Sequence, residues 1–386
     1  MKLATRYAQI AAYAAALHDE IELAAGLLPR GLPVGHLAWG GGTPTALSPD
    51  DLAALMERLR RHFIQATAAT TLLGSLGLQT ARAQGLEQVK IVNGFPAGGS
   101  ADVTSRRIGE KLGGSAYSKN AAVVENKTGA AGRIAVEAVK NAAPDGATLL
   151  LTPYSMMSIY PHIYKQLSYD PVKDFEPVAM ASLLTHGLAV GPMVPASVKT
   201  VKDFLAWAKA NPNDANFGSP AAGSTPHFLG VMLEMASGVP LKHIPYRGSI
   251  PGITDVIGGQ LAAMVTPHGD FLPNHRAGKL RIIATSGKTR SPFVPDVPTF
   301  AEQGFPDLVV EEWFGFYAPA KTPAAIITNA NQAINTALKE KSVIDSLALS
   351  GMVPLGGTPE EMAKSMKYYY DFWNPLVKKI GFTAES

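Results

Sequence analysis

The 386-residue chain contains no cysteine. That absence removes disulfides, thiol catalysis, zinc–thiolate centres and iron–sulfur clusters together. Histidine is sparse as well: none of the nine pairs with another at the i+3 or i+4 spacing that would place two on one helix face. No metal and no cofactor are therefore expected. Charged residues make up only 17% of the chain, with a formal net charge of +3 and no Lys/Arg run interleaved with aromatics, so nucleic acid is excluded as a partner. A Gly-x-Ser-x-Gly nucleophile elbow is missing too. Glycine and proline, by contrast, are plentiful at 37 and 29, which implies many short elements joined by sharp turns. The length suffices for two separate cores.

The most informative stretch runs from Val89 to Asp102. Its apolar start (Val89, Ile91, Val92) has a strand pattern, Phe95-Pro96-Ala97-Gly98-Gly99 turns, and Val103, Ile108 and Leu112 follow at helical spacing. Adjacent glycines let a ligand approach the backbone, and a helix start presents unpaired N–H groups that suit a carboxylate or phosphate. A second corner of this kind is Gly218-Ser219-Pro220-Ala221-Ala222-Gly223-Ser224-Thr225-Pro226-His227. Ligands of open α/β sheets sit beyond the carboxyl ends of strands. Two such corners on two domains would face each other across a cleft, as in a clamshell binding protein.

Between and after these corners, short apolar runs alternate with helical periodicity. Strands are expected at 89–95, 121–124, 147–152, 216–219, 241–245, 261–266 and 281–286. Helices are expected at 101–112, 132–141, 201–210, 226–237, 250–258, 323–339 and 359–379. The opening β-α-β-α-β order implies a parallel sheet.

An export signal lies inside the chain. Arg60-Arg61-His62-Phe63-Ile64-Gln65 opens a segment without charge until Arg82, and Ala81-Arg82-Ala83 is a small-x-small cleavage pattern. The paired arginines resemble a twin-arginine signal. The alternative is a membrane-spanning helix, but threonines, glycines and Gln79 dilute the run. Residues 56–83 are expected to be the signal, and the mature chain is expected to be periplasmic after cleavage near Ala83. Upstream, His36-Leu37-Ala38-Trp39-Gly40-Gly41-Gly42-Thr43-Pro44 resembles a fragment of the oxygen-independent coproporphyrinogen III oxidases, a radical SAM family. The cluster cysteines of that family are absent, so its chemistry cannot occur. Residues 1–55 are expected to be inactive, a fusion, a recombination scar or a mis-assigned start, with Met56 as the ordinary initiator.

From Val89 to the C-terminus the chain resembles the tripartite tricarboxylate transporter solute receptors, also called Bug proteins. The resemblance rests on Phe95 to Asp102, Val124-Glu125-Asn126-Lys127-Thr128-Gly129, Ala143-Pro144-Asp145-Gly146, Tyr169-Asp170-Pro171-Val172-Lys173-Asp174-Phe175, Pro245-Tyr246-Arg247-Gly248, Ala277-Gly278-Lys279-Leu280-Arg281, Pro295-Asp296-Val297-Pro298-Thr299 and Gly356-Gly357-Thr358-Pro359-Glu360-Glu361, in that order. It implies an α/β clamshell of the periplasmic-binding-protein type with two hinge crossings. One domain would hold residues 84–187 and 316–386, and the other 188–315. It also implies a monomer that binds a small carboxylate, without catalysis, and delivers it to an integral membrane permease.

On this basis the ligand would meet Ala97, Gly98, Gly99 and Ser100, with Asp102 bracing the loop rather than touching an anion, because like charges repel. Ser155 and Met156 would line the same mouth. Ser219, Gly223, Ser224 and Thr225 would act from the second domain. Arg247 reads either as a site cation or as a solvated residue after a turn, and Tyr246 as site-facing or core. His227 and His268 read as ligand contacts or as structural, and Trp313-Phe314 as hinge packing or pocket wall. After strand 261–265 the family usually shows an Asp-Asn type pair, where this chain has Thr266-Pro267-His268-Gly269. That departure disfavours an amine-bearing ligand and leans toward a plain or aromatic carboxylate. An exported serine hydrolase is the alternative function; no base adjoins Ser219 or Ser224 in sequence.

Overall fold

The computed structural model describes residues 85–384; the N-terminal fragment and the export signal expected above lie outside the described residues. Lys90–Asn93 forms β1, a short strand with Ile91 and Val92 fully buried. It sits between β2 (Val123–Asn126) and β3 (Thr148–Pro153), parallel to both. Helix α1 (Ser100–Gly109) and helix α2 (Arg133–Lys140) make the crossovers, so this end of the sheet has the expected β-α-β-α-β order. Short helices α3 (Tyr154–Ser158) and α4 (Tyr160–Ile163) follow at once.

The second end repeats the scheme. Helix α5 (Val201–Ala210) starts on a capping box, in which the Thr200 hydroxyl accepts the Asp203 N–H and the Asp203 carboxylate accepts the Thr200 N–H. Strand β5 (Asn216–Ser219), helix α6 (Thr225–Ser237), strand β6 (Lys242–Pro245), helix α7 (Ser249–Ile257), strand β7 (Ala263–Pro267), helix α8 (His268–Arg276) and strand β8 (Arg281–Thr285) follow. Here β5 is parallel to β6 and β7.

Two long strands join the ends. Strand β4 (Phe175–Val190) spans 16 residues and β9 (Glu311–Pro319) nine. The sheet order is β2-β1-β3-β9-β4-β7-β5-β6, with β8 and the short β10 (Val353–Pro354) also on β4. The sheet is thus parallel only at its ends; β9 runs antiparallel to β3 and β4, and β4 antiparallel to β7 and β8. Up to Thr185, β4 pairs with β9; from His186 it pairs with β7. Ser286 ties the changeover together. Its N–H donates to His186 O and its hydroxyl to Val310 O, while its own oxygens accept from the His186 and Val310 N–H groups.

Helices α9 (Ala324–Ala337), α10 (Lys341–Leu349) and α11 (Pro359–Ile380) return to the first end. The last opens on a Thr358/Glu361 capping box and stops at left-handed Gly381. One apolar cluster runs continuously from Val92 and Tyr154 through Trp313 to Phe204 and Phe217, so both ends of the sheet share core. No helix among the described residues is long and apolar enough to cross a membrane.

Candidate functional site

A cavity of about 40 Å³ lies where the two ends of the sheet meet. Gly99, Ser100 and Ala101 line it from the start of α1, Ser155 from α3, and Ser224 with Pro226 from the start of α6. Both polar corners of the sequence therefore open onto one space. At roughly 10–15 Å³ for each water, it holds on the order of three.

The first corner is built as a strand that turns into a helix without a side-chain cap. Gly98 takes φ +86, Gly99 is the N-cap, and the first-turn amides are left for other partners. Asp102 braces the loop from below: it accepts the Gly98 N–H at 3.0 Å, Arg106 Nε at 3.0 Å and Asn126 Nδ2 at 2.9 Å. Burial pushes its carboxyl up, but those donors outweigh it and leave it below the usual carboxylate range. What occupies the corner is unexpected. Asp270, in the first turn of α8, accepts the Ser100 N–H at 2.9 Å and the Ser100 hydroxyl at 2.5 Å through a single oxygen. Burial raises this carboxyl, opposed by hydrogen bonds from Ser100 and Ser249 that favour its ionised form.

Glu312 is the second acid of the cavity. It lies on β9, is 3% exposed, and accepts the Ser155 N–H at 3.3 Å and the Thr225 hydroxyl at 3.0 Å through Oε1. His186 Nε2 stands 3.1 Å from Glu312 Oε2, a close contact that lacks hydrogen-bond geometry. The Ser155 hydroxyl is buried and has no partner. Among the described residues, neither lysine nor arginine lines the cavity.

Of the residues singled out from sequence, Gly99, Ser100, Ser155 and Ser224 line the cavity, and Thr225 reaches its wall through Glu312. Apart from Phe314, the other candidate ligand contacts stand outside the lining. Ala97 and Gly98 are exposed on the turn. Met156 is buried and accepts from the Thr152 hydroxyl. Gly223, at φ +78, donates its N–H to His227 Nδ1. Tyr246 donates to Asp255 at 2.7 Å, and Arg247 is exposed. The His268 ring is held between Thr185 and Ser291. Phe314 is a wall residue, whereas Trp313 donates to Ser365 away from it.

Asp270, Glu312 and Ser249 also line the cavity and were not among the residues expected from sequence. An acid does follow β7, four residues beyond Thr266, at Asp270 in the first turn of α8. Signals for both acids did exist: an Asp in a first helical turn beyond a strand end, and an acid leading a strand that is otherwise apolar and aromatic.

Ser219 does meet a base in space. Its Oγ is 2.8 Å from His243 Nε2, but it also donates to Ala221 O, is fully buried, and lies off the cavity lining. His243 stacks on His227 at 3.8 Å between ring centroids. Burial lowers His243 to about 4 and His227, also beside His243, to about 3. Both rings are neutral packing groups near neutral pH, and the arrangement offers no accessible nucleophile.

The family model described as tripartite tricarboxylate transporter family receptor matches residues 110–382. The protein BugT of Bordetella pertussis is 32% identical over 76% of this chain and 89% of its own. A solved periplasmic transporter superposes with a TM-score of 0.73 at 37% identity, over 77% of this chain and 98% of that one. The Rhodopseudomonas palustris protein MatC, solved with bound malate, gives 0.71 at 27% identity over 75% and 99%. An R. palustris protein solved with adipate gives 0.73 at 28% over 80% and 100%. With its fold, its cleft and this breadth of similarity, the chain belongs to the tripartite tricarboxylate transporter receptor family.

Proposed function

We propose that the protein is a periplasmic receptor that captures a small carboxylate between two lobes and delivers it to the permease of a tripartite transporter, without transforming it. The observation that carries this is the convergence of Gly99-Ser100, Ser224 and the unpartnered Ser155 hydroxyl on one cavity. Its neighbours with malate and adipate support an organic acid as ligand. The acid end would take the Ser155 hydroxyl and the first-turn amides near Ala101. Each charge-assisted hydrogen bond contributes about 1.5–3 kcal/mol, so three or four reach the ~8 kcal/mol of micromolar binding.

The lobes are 84–187 with 316–386, and 188–315. The change of strand partners at Thr185–His186, and the Val310 N–H bond to Ser286 just before β9, support crossings within a few residues of those boundaries. Closure is a rotation of one lobe on the other, with the ligand selecting the closed form. Gly98, Asp102, Met156, Gly223, His227 and His268 shape the walls from behind, and Ala97, Tyr246 and Arg247 flank the mouth. Export by the twin-arginine-like signal, removed near Ala83, would place the monomeric receptor in the periplasm.

Calorimetric titration of the purified protein with mono- and dicarboxylates tests this. Micromolar binding of at least one acid, weakened tenfold or more by Ser155→Ala, is the expected outcome. Failure of every acid to bind or to raise the melting temperature would refute the receptor assignment.

A further inference from the structure

Resting on that receptor reading, we infer that the ligand is an organic acid that also carries an ammonium group, and that Asp270 is the residue that selects it. Two carboxylates, Asp270 and Glu312, line one small cavity, and no lysine or arginine among the described residues lines it with them. Their positions are fixed. Asp270 accepts both donors of Ser100 from across the cleft, and Glu312 accepts from Ser155 and Thr225, one on each side. A dicarboxylate entering here brings further negative charge to a wall without a fixed cation. An ammonium group brings the missing positive charge and three N–H donors to Asp270.

The acid end of the same ligand has its own provision. The Ser155 hydroxyl is buried in the cavity wall without a partner, and Ala101 lines it from a helical first turn whose N–H groups have no intrahelical acceptor. One cavity thus presents donors to a carboxylate and acceptors to an amine. Thr266-Pro267 closes β7, and Asp270 follows in the first turn of α8.

Matched pairs decide the matter by calorimetry on the purified full-length protein: butyrate with 4-aminobutyrate, succinate with aspartate, glutarate with glutamate, and adipate with 2-aminoadipate. The wild type is expected to bind the amino member at least tenfold more tightly in the pair that fits its length. Asp270→Asn is expected to reduce that preference below threefold. Plain acids binding as tightly as their amino partners would overturn the inference and leave the receptor assignment standing, as would an undiminished preference in Asp270→Asn. Should that variant not melt cooperatively, the wild-type ratios alone decide. No binding in any pair would refute the inference; silence across the wider acid panel as well would refute the receptor assignment with it.

Discussion

Glu312 is a carboxylate held inside the molecule by neighbours on three other elements: Ser155 on α3, Thr225 on α6 and His186 on β4. Glu312→Ala strands the Ser155 N–H and the Thr225 hydroxyl, and each buried donor left without an acceptor costs about 1–3 kcal/mol. Glu312→Gln keeps the Oε1 acceptor for Ser155 and Thr225, and is expected to lose the smaller share. Urea denaturation of the two variants checks the order. Gly248 is a second sensitive position. Its φ of 106° and ψ of 173° fall in a region held almost only by glycine, and a Cβ there would lie 2.4 Å from Pro96 of the opposite corner. Gly248→Ala is expected to cost about 1–3 kcal/mol and to weaken acid binding, both measurable in one set of thermal shifts. Ser100, Ser155 and Ser224 were legible because a strand that turns into a helix identifies its own mouth. Asp270 and Glu312 carried only weak local signals, outweighed because an anion site argues against acids in its wall, and the fold shows that each sits on donors of another element.

At the scale of elements, the stacked His227 and His243 join α6 to β6 and make stability depend on pH. Both are neutral in the fold, at about 3 and about 4. The unfolded chain takes them up near 6.5, so between pH 6.5 and about 4 it binds more protons than the native state, and stability falls as pH falls. The loss from pH 7 to pH 5 is about 2 kcal/mol for each ring. His243→Gln is expected to flatten the dependence of the urea midpoint on pH by about half. The helices and short strands expected from periodicity and Pro/Gly punctuation are present within a few residues, α5 and β5 to the residue, whereas α3, α4, α8 and α10 were not foreseen. Nor were the strands that join the ends. β4 is buried along both faces, contains Pro177, and shows no alternation that would betray a strand. β9 looked like a hinge segment because its aromatic run, Trp313 to Tyr317, is buried on both sides as well. Their antiparallel course is a long-range fact that local pattern does not hold.

At the scale of the whole molecule, two expected outcomes follow from the receptor assignment. Protein recovered from the periplasm should begin at Gln84, which N-terminal sequencing reads directly; an intact start at Met1 would refute export by this signal. Adding a binding acid should shrink the radius of gyration in X-ray scattering, and Gly248→Ala should blunt the change.

The serine between the two joining strands has a mechanical consequence. Because Ser286 bonds to His186 and to Val310 at once, sliding one connection past the other would break four hydrogen bonds. A rotation of one proposed lobe on the other would therefore bend both connections together. Solutes of different length would then be met at different angles along one arc, without remoulding of the loops that line the cavity.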